Sequence, residues 1–423
     1  MKDEKNILEI VLSLLLPLVF VGVFVLILVF WFQVDNSDSV PTMQQLQAAV
    51  QETGESEDAV HKEKKGQEGE TDQAGTAKAR QLLADMSLED KVAQLFVITP
   101  EALTGIEDVT AAGESTSRAY VACPVGGLVY FQNNLESEDQ LRTMLTNMRQ
   151  ISTSRAGVPA FLSIDEEGGE VARIANHESF SVENTGPMQE IGKSGDKTEA
   201  YAAGAAIGGY LKDYGFNLDY APVADVAASE ENSVIGNRSF GTDPQTVGEM
   251  TAEAVKGFKS QGMLTVLKHF PGHGSTTEDS HQEFAYNNKT EEELKSQDFV
   301  PFQSGIEAGA DMVMVGHICV PTVTGDDTPS SLSTKVVTDI LRGELGFKGL
   351  VITDALNMGA ISGSYEAAEA AVRALEAGCD LLLMPEDFQA AYQGVLDGVN
   401  SGRITEERID ESVKRILEVK TRI

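Results

Sequence analysis

Met263-Leu264-Thr265-Val266-Leu267-Lys268-His269 is a short apolar run that ends in two polar residues, and it indicates how the rest of the chain folds. The run follows Gly262 and is rich in branched side chains, which is typical of a buried β-strand. We predict a strand at Leu264–His269. Seven other runs share this character and predict seven further strands: Gln94–Ile98, Gly127–Phe131, Ala160–Ile164, Phe216–Pro222, Met312–His317, Leu350–Thr353 and Asp380–Met384.

Amphipathic stretches with a helical period lie between these runs and after the last of them. They are Glu138–Ser152, Thr198–Tyr214, Gln245–Gln261, Glu291–Ala308, Thr334–Leu345, Tyr365–Ala377, Phe388–Asn400 and Glu406–Thr421. Thr290-Glu291-Glu292-Glu293 is a capping box that marks the start of one of them. Gly215, Gly262, Gly309 and Gly378 follow four of them, where glycine commonly ends a helix. Strands that alternate with helices predict a parallel sheet.

Such a sheet can close into a (β/α)8 barrel or stay open as a doubly wound sheet. Polar residues stand at the carboxyl end of most of the predicted strands: Asp165, Asp225, Lys268, His269, His317 and Asp354. In barrels of this type the functional residues lie at the carboxyl ends of the strands. We therefore predict an α/β fold of the TIM-barrel type, with a polar site at that end.

The N-terminus has a different character from the barrel region. Ile7–Phe32 is almost entirely apolar and long enough to cross a hydrocarbon core of about 30 Å. A cleaved signal peptide is the alternative, but no small-x-small site precedes Asp35. Lys2 and Lys5 precede the run, which places the N-terminus in the cytoplasm. We predict that residues 1–32 are a transmembrane anchor, so that the protein is a single-pass protein of the cell membrane with its catalytic domain outside.

Residues 33–80 are rich in Gln, Glu, Ser, Asp, Gly and Lys and nearly lack large apolar side chains, which predicts a flexible linker. The barrel domain is then residues 81–423. The net charge of −34 argues against binding to nucleic acid. Cys123, Cys319 and Cys379 are too few and too scattered for a disulfide framework. We expect a monomer.

Lys268-His269-Phe270-Pro271-Gly272-His273-Gly274, followed by Glu278-Asp279-Ser280-His281, gathers a lysine, three histidines and two acids in one segment. This order of residues resembles the signature of the NagZ-like β-N-acetylglucosaminidases of glycoside hydrolase family 3. The resemblance implies a retaining exo-hydrolase that removes non-reducing β-linked N-acetylglucosamine. Retention requires a carboxylate nucleophile and a group that serves first as acid and then as base.

Asp354 is the candidate nucleophile. It closes the run Gly349–Thr353 and precedes Ala355-Leu356-Asn357-Met358, and the whole stretch resembles the nucleophile motif of the family. A carboxylate fixed at a strand end can be aimed at the anomeric carbon. The alternative is an aspartate that caps the following helix, a role that suits the same position.

The candidate acid and base is His281 together with Asp279. In an extended loop, residues i and i+2 project to the same side, so Asp279 can accept a hydrogen bond from the His281 ring and stabilise its charged form. The resemblance implies that this pair is the acid/base of the family branch. The alternative is a loop histidine that merely bonds its neighbouring aspartate.

The resemblance also implies a set of residues that bind the sugar hydroxyls. Asp165-Glu166-Glu167-Gly168-Gly169 and Asn237-Arg238-Ser239-Phe240-Gly241 resemble two further family motifs. Charged side chains of this kind form strong hydrogen bonds that fix the orientation of a ring. Glu170 departs from the pattern, because many relatives have Arg there. The implied substrate-binding residues are Asp165, Arg173, Arg238, Lys268 and His269.

Other chemistries are compatible with parts of the pattern. His269, His273 and His281 with an acid could bind zinc or manganese, Lys268 could form a Schiff base, and Gly272-x-Gly274 could bind phosphate. A sugar-binding scaffold with an inactive site, a β-glucosidase and a glycoside phosphorylase also remain open. We predict an enzyme that needs no metal or other cofactor. Its expected substrate is a GlcNAc-containing peptidoglycan fragment or muropeptide.

Overall fold

The computed structural model describes residues 74–228, 235–276 and 284–423. Twelve strands occur in this part of the chain, and eight of them form one parallel sheet. In chain order they are β1 Phe96–Ile98, β2 Gly127–Val129, β3 Phe161–Ile164, β4 Glu166–Gly168, β5 Val171–Ala172, β6 Leu218–Asp219, β7 Leu264–Phe270, β8 Ala285–Tyr286, β9 Met312–Val315, β10 Ile318–Cys319, β11 Leu350–Thr353 and β12 Leu382–Leu383. All eight predicted strands are confirmed, most of them with shorter bounds.

The eight-stranded sheet curls into a nearly closed barrel. Its strands follow the order of the chain without a reversal, namely β1-β2-β3-β6-β7-β9-β11, and β12 pairs with β1 at the other side. A parallel bridge between Ile352 and Leu381 connects β11 to the segment of β12. A doubly wound sheet would reverse its strand order at a switch point. The unbroken order therefore confirms the barrel and excludes the open sheet.

The helices lie between the strands. Those that begin within the described residues are Leu88–Ala93, Pro100–Thr104, Glu114–Ala122, Glu138–Ala156, Met188–Ser194, Lys197–Tyr214, Pro244–Ser260, Glu291–Ser296, Phe299–Glu307, Pro321–Thr324, Gly359–Ser362, Ala367–Ala377, Phe388–Asn400 and Glu406–Lys420. Lys335–Glu344 is a π-helix, and short 3₁₀ turns occupy Gln132–Asn134, Gly236–Arg238 and Ser330–Leu332. Residues 74–85 are also helical.

Local sequence accounts for where the long helices begin and end. The side chains of Ser137, Asp243 and Thr405 each accept a backbone N–H in the first turn of the helix that follows, which satisfies donors that a helix start leaves free. Gly157 and Gly215 end two helices with φ values of 73° and 109°, a conformation that L side chains rarely adopt.

Several elements differ from the sequence-based expectation. The helix predicted over Glu291–Ala308 is two helices, because the backbone at Gln297 leaves the helical region (φ −126°, ψ −77°). Six helices of the described part of the chain were not predicted, because each has fewer than ten residues and shows little of a helical period: Leu88–Ala93, Pro100–Thr104, Glu114–Ala122, Met188–Ser194, Pro321–Thr324 and Gly359–Ser362. Residues 74–80, which belong to the predicted linker, lie in a helix whose Ala79 is fully buried in the core.

Two small sheets lie above the barrel at the carboxyl ends of its strands. β4 and β5 form an antiparallel hairpin directly after β3, and β8 pairs in parallel with β10, which follows β9. Gly168 and Gly169 make the hairpin turn with φ values of 92° and 60°. The hairpin places its acidic residues over the mouth of the barrel.

Phe240 and Phe270, which the sequence favours as core residues, are both buried. The Phe270 ring packs against Phe299 and Phe302 with centroid distances of 5.2 Å in each case. The predicted anchor and most of the predicted linker, residues 33–73, lie outside the described residues. Within residues 74–423, the helices that the structure describes include none that is long and apolar enough to span a bilayer.

Candidate active site

A cavity of about 360 Å³ opens at the carboxyl ends of the barrel strands. The nucleophile candidate Asp354 lines it, and so do all five residues that the resemblance implies for sugar binding: Asp165, Arg173, Arg238, Lys268 and His269. These six residues come from four different regions of the sequence. The barrel therefore brings together the motifs that were quoted separately above.

The polar wall of the cavity is a chain of alternating charges. Lys268 Nζ lies 2.8 Å from Asp165 Oδ1 and 2.7 Å from Glu167 Oε1. Glu167 also accepts two hydrogen bonds from Arg238, of 2.8 Å from Nε and 2.7 Å from the terminal guanidinium nitrogen. At the other end, Arg173 lies 3.7 Å from Asp165. Each inner charge thus touches two charges of the opposite sign.

The alternation of charges keeps the two most deeply buried groups of the polar wall, Glu167 and Lys268, ionised. Burial opposes the charge of Glu167, but Arg238 and Lys268 outweigh it and hold the pKa of this carboxyl well below its usual range. Burial likewise opposes the charge of Lys268, yet Asp165 and Glu167 raise the pKa of its amine above the ordinary value. The wall therefore presents fixed charges to a ligand, with two acceptor groups and three cations.

The strand period of two explains why the adjacent acids of β4 have different surroundings. Glu167 faces the cavity, whereas the carboxylate of Glu166 accepts the backbone N–H groups of Ile174 and Ala175 at 2.9 Å. Glu166 also accepts the hydroxyl of Tyr210 at 2.8 Å. Glu166 thus fixes the chain around Arg173, and Glu167 organises the cations of the site.

Asp354 follows β11 directly and faces the cavity. Its backbone N–H donates to Val315 O at 2.9 Å, and its Oδ1 accepts the N–H of Ala355 at 2.8 Å. Burial opposes its charge, but His269, His317 and the Ala355 N–H together lower the pKa of Asp354 below its usual value. The next helix begins at Gly359 after the N-cap Met358. Asp354 is therefore not the cap of that helix, and it presents an ionised carboxylate.

His317 lies next to Asp354 at the end of β9. Its Nδ1 lies 2.8 Å from Ser331 Oγ and its Nε2 lies 2.9 Å from Ala355 O. A ring nitrogen next to a carbonyl must donate, so Nε2 carries the hydrogen. This bond fixes the backbone that follows Asp354.

His269 is held from behind by Asp225, a carboxylate that is fully buried. Asp225 Oδ2 accepts both the backbone N–H of His269, at 3.0 Å, and its Nδ1, at 2.8 Å. Asp225 Oδ1 accepts the N–H of His273 at 2.7 Å. One carboxylate thus fixes both histidines.

The rest of the cavity lining is mostly apolar. Side chains that share this character and line it are Val129, Phe131, Val171, Met314, Met358, Leu383 and Met384. The guanidinium of Arg173 lies over the Phe131 ring at 5.4 Å from its centroid, a cation–π contact between a charged and an apolar residue of the lining. A cavity lined by both charged and apolar side chains suits a ligand that carries hydroxyls on a carbon ring.

Asp279 and His281, the predicted acid/base pair, lie outside the described residues. Thr276, the last described residue before them, bonds the ring of His273 at 2.5 Å. Among the residues that the structure describes, no group of three or more His, Cys, Asp or Glu side chains could hold a metal ion.

Four residues of the site were given no specific role from the sequence. Glu167 and Asp225 hold its charged side chains, and Tyr220 and Asn357 line the cavity. Glu167 and Asn357 stand within motifs that were quoted from the sequence. Their roles depend on contacts with residues far away in the chain, such as Arg238, 71 positions from Glu167.

Comparison with known proteins agrees with this geometry. The profile of the glycosyl hydrolase family 3 N-terminal domain matches residues 87–419. The chain is 39% identical over 280 residues to the beta-hexosaminidase of Stenotrophomonas maltophilia K279a. The aligned region covers 64% of this chain and 80% of that protein. It is 33% identical over 325 residues to beta-hexosaminidase A of Pseudoalteromonas piscicida, with 71% of this chain matched.

A solved structure supports the same assignment. The family 3 beta-N-acetylglucosaminidase from Paenibacillus sp. FPU-7 superimposes with a TM-score of 0.74 at 38% identity and covers 80% of this chain. The superimposed region covers 62% of the Paenibacillus chain. The region aligned with beta-hexosaminidase A of Pseudoalteromonas piscicida covers 54% of the length of that protein. The present chain thus corresponds to roughly half to two thirds of these two longer relatives.

Proposed function

The chain belongs to glycosyl hydrolase family 3, and from this membership and the geometry of its site we propose that it is a retaining exo-β-N-acetylglucosaminidase. It removes a terminal, β-linked N-acetylglucosamine from a larger sugar. The observation that carries the proposal is the shared cavity, in which the candidate nucleophile and five candidate sugar-binding residues meet. The names of the most similar relatives, beta-hexosaminidase and beta-N-acetylglucosaminidase, support the choice of donor sugar.

The polar wall orients the terminal ring. Asp165 accepts hydrogen bonds from ring hydroxyls, and Arg173, Arg238 and Lys268 donate to their oxygens. Because each of these charges already has a partner of the opposite sign, they bind a neutral sugar without a large change in their own arrangement. This arrangement is pre-organised and holds the anomeric carbon near Asp354.

Asp354 performs the first chemical step. Its carboxylate attacks the anomeric carbon, the bond to the leaving oxygen breaks, and a glycosyl ester forms. The low pKa of Asp354 keeps it ionised at neutral pH, so that it needs no base. His269 and Lys268 stabilise its charge until the attack.

His281 supplies the proton in this step. Oriented by Asp279, it protonates the leaving oxygen and then accepts a proton from the water that hydrolyses the ester. The sequence motif supports this role. It stays a prediction from the sequence, since both residues lie outside the described part of the chain.

The natural substrate that we propose is a peptidoglycan fragment, such as GlcNAc–MurNAc or a muropeptide. The family resemblance and the predicted export of the catalytic domain support this choice. An outward-facing enzyme on a membrane anchor would meet wall fragments directly.

A side-by-side assay tests the proposal. Full-length protein is given p-nitrophenyl β-N-acetylglucosaminide, p-nitrophenyl β-glucoside and GlcNAc–MurNAc, each in buffer with and without inorganic phosphate. We expect preference for the first substrate over the glucoside by a factor of about a hundred, cleavage of GlcNAc–MurNAc and no stimulation by phosphate. Preference for the glucoside would instead identify a β-glucosidase. A sugar phosphate product would identify a phosphorylase, and a folded protein inactive on all three would be a binding scaffold.

A further inference from the structure

Asp225 lies beneath the cavity and does not line it, and neither the family resemblance nor the comparisons give it a role. We propose that Asp225 is a positioning residue that fixes the ring of His269, so that His269 presents Nε2 to the bound sugar. The inference rests on the proposed function, because it concerns how the same site binds its donor sugar.

The carboxylate of Asp225 is placed by the backbone of two neighbouring strands. Asp225 follows the strand segment of β6, which remains bound to β7 through the bridge between Val223 and Lys268 and through a 2.7 Å bond from Ala224 N to Lys268 O. This backbone contact sets the height of Asp225 relative to His269. Its Oδ2 then accepts both the backbone N–H and the ring nitrogen Nδ1 of His269.

The ionised Asp225 determines which ring nitrogen of His269 carries a hydrogen. Burial opposes the charge of Asp225, but His269 and His273 outweigh it and lower the pKa of its carboxyl. An ionised carboxylate can only accept, so Nδ1 of His269 must carry a hydrogen. The nitrogen left for the cavity is Nε2, on a side chain that is itself 9% exposed. The ring can neither turn over nor change its tautomer without breaking the bond to Asp225.

The fixed ring of His269 affects the site in which the sugar binds. His269 lines the same cavity as Asp354 and contributes to holding Asp354 ionised. A ring fixed at Nδ1 places Nε2 at one defined position, where it exchanges hydrogen bonds with a hydroxyl of the terminal sugar. Without Asp225 the ring could rotate, and this contact would be lost in part of the molecules.

The other oxygen of Asp225 fixes the start of the next segment. It accepts the N–H of His273, and Ala228 N donates to Gly274 O at 2.7 Å. A Cβ on Gly274 would lie only 2.0 Å from Val226 O, so the two segments touch directly. Asp225 therefore connects the sugar-binding histidine to the segment that leads away from β7.

A double-mutant cycle tests whether Asp225 acts through His269. Asp225→Asn keeps the shape of the side chain but replaces one acceptor oxygen with a donor, and we expect kcat/KM to fall about 10- to 100-fold, as for partners that orient other functional histidines. In the His269→Gln background, the same substitution should cost less than about 3-fold. A full loss in both backgrounds would overturn the proposal, because Asp225 would then act independently of His269.

The matched control is Asp380→Asn. Asp380 is also a fully buried carboxylate with close cationic partners, Arg342 and Arg415, and its bond to the N–H of Val351 places it near the start of β11, at the opposite end of the barrel. We expect this variant to lose thermal stability and to keep kcat and KM close to the wild-type values. If Asp380→Asn and Asp225→Asn lose the same amount of stability and also the same factor in kcat/KM, the effect of Asp225 is only structural and the proposal is wrong.

A spectroscopic measurement does not depend on activity or on the stability of the Asp225 variant. The chain has six histidines, and in ¹⁵N-histidine-labelled full-length protein the His269→Gln variant identifies the His269 ring. Wild-type protein should show a hydrogen on Nδ1 of that ring. A hydrogen on Nε2 alone would refute the proposal even if the protein cleaves no glycoside. Conversely, an Nδ1–H signal in an inactive protein would refute only the proposed function.

Discussion

Lys268 and Glu167 form an ion pair of 2.7 Å in the wall of the cavity, with side chains that are only 3% and 2% exposed. Two charges taken out of water are costly unless each finds further partners. Lys268 has a second carboxylate in Asp165, and Glu167 has Arg238. The candidate site is thus held together by ions that stabilise one another.

Glu167→Gln should weaken sugar binding and destabilise the fold. The substitution keeps the size of the side chain but leaves Lys268 and Arg238 with one anion fewer, and removing one member of a buried ion pair typically costs about 3–5 kcal/mol. We expect a higher KM on p-nitrophenyl β-N-acetylglucosaminide and a lower free energy of unfolding in urea. Glu170→Gln, which changes an exposed acid on the same hairpin, is the control and should change neither quantity.

The same carboxylate should make the fold sensitive to acid. The folded pKa of Glu167 is lowered from 4.5, so its stabilising contribution is fully present above pH 4.5 and is lost as the pH falls towards the folded value. The free energy of unfolding of the wild type should therefore fall more steeply between pH 5 and 3 than that of Glu167→Gln. Parallel curves for the two proteins would contradict the assignment of a buried, ionised Glu167.

Asp354→Asn should abolish hydrolysis and leave the fold intact. The amide cannot form the glycosyl ester, and loss of a nucleophile typically lowers kcat by about 10⁴-fold or more. Circular dichroism should show a melting transition near that of the wild type. A variant that retains a substantial share of the wild-type kcat would assign the nucleophile to another residue.

His281→Ala should affect substrates according to their leaving groups. A poor leaving group needs the proton that His281 is proposed to supply, whereas a dinitrophenolate leaves without it. We expect a loss of about 10²-fold or more on an alkyl or disaccharide substrate, but a much smaller loss in the formation of the ester from the dinitrophenyl glycoside. Equal losses on both would indicate a structural role for His281.

Lys420 should make stability rise with pH. It is 1% exposed, and its ammonium contacts two uncharged groups, the side chain of Gln94 at 2.7 Å and the ring of Phe161 at 4.8 Å. Burial lowers the pKa of Lys420 to about 7, so between pH 7 and 10.5 the unfolded chain binds more protons and the free energy of unfolding increases with pH.

Lys420→Met should remove this rise, which amounts to at most about 1.4 kcal/mol per pH unit. The measurement is urea unfolding between pH 7 and 9. Lys414→Met, which changes a half-exposed lysine of the same helix, is the control and should keep the wild-type slope. A wild-type slope in Lys420→Met would mean that Lys420 stays charged in the folded protein.

The sequence pattern was sufficient for the barrel because each buried strand is a separate apolar run. Leu264–His269 and Leu350–Thr353 match β7 and β11 closely. The run at Phe216–Pro222 yields only the two-residue strand β6, since Pro222 has no N–H to donate to a neighbour. The hairpin of β4 and β5 was missed because both strands are very short and the glycine pair Gly168-Gly169, at the end of β4 and in the turn, resembles a loop.

The site was predictable where its residues belong to ordered motifs. Asp165, Lys268 and Asp354 stand at strand ends, and a barrel must bring such positions to one mouth. Asp225 also stands at a predicted strand end, but its role and that of Glu167 could not be assigned, because these roles arise from tertiary contacts with the ring of His269 and with Arg238. The spacing of residues along the chain holds no information about which of two adjacent acids meets a distant cation.

The central claim is that Asp354 forms a covalent bond to the sugar, and trapping that bond tests it most directly. Full-length protein is incubated with an activated, ring-fluorinated amino-sugar glycoside that slows ester hydrolysis, then digested and sequenced by mass spectrometry. We predict one glycosyl group per chain, on the peptide that contains Asp354, and none on Asp354→Asn. A label on a different residue, or turnover with inverted configuration and no covalent intermediate, would contradict the account.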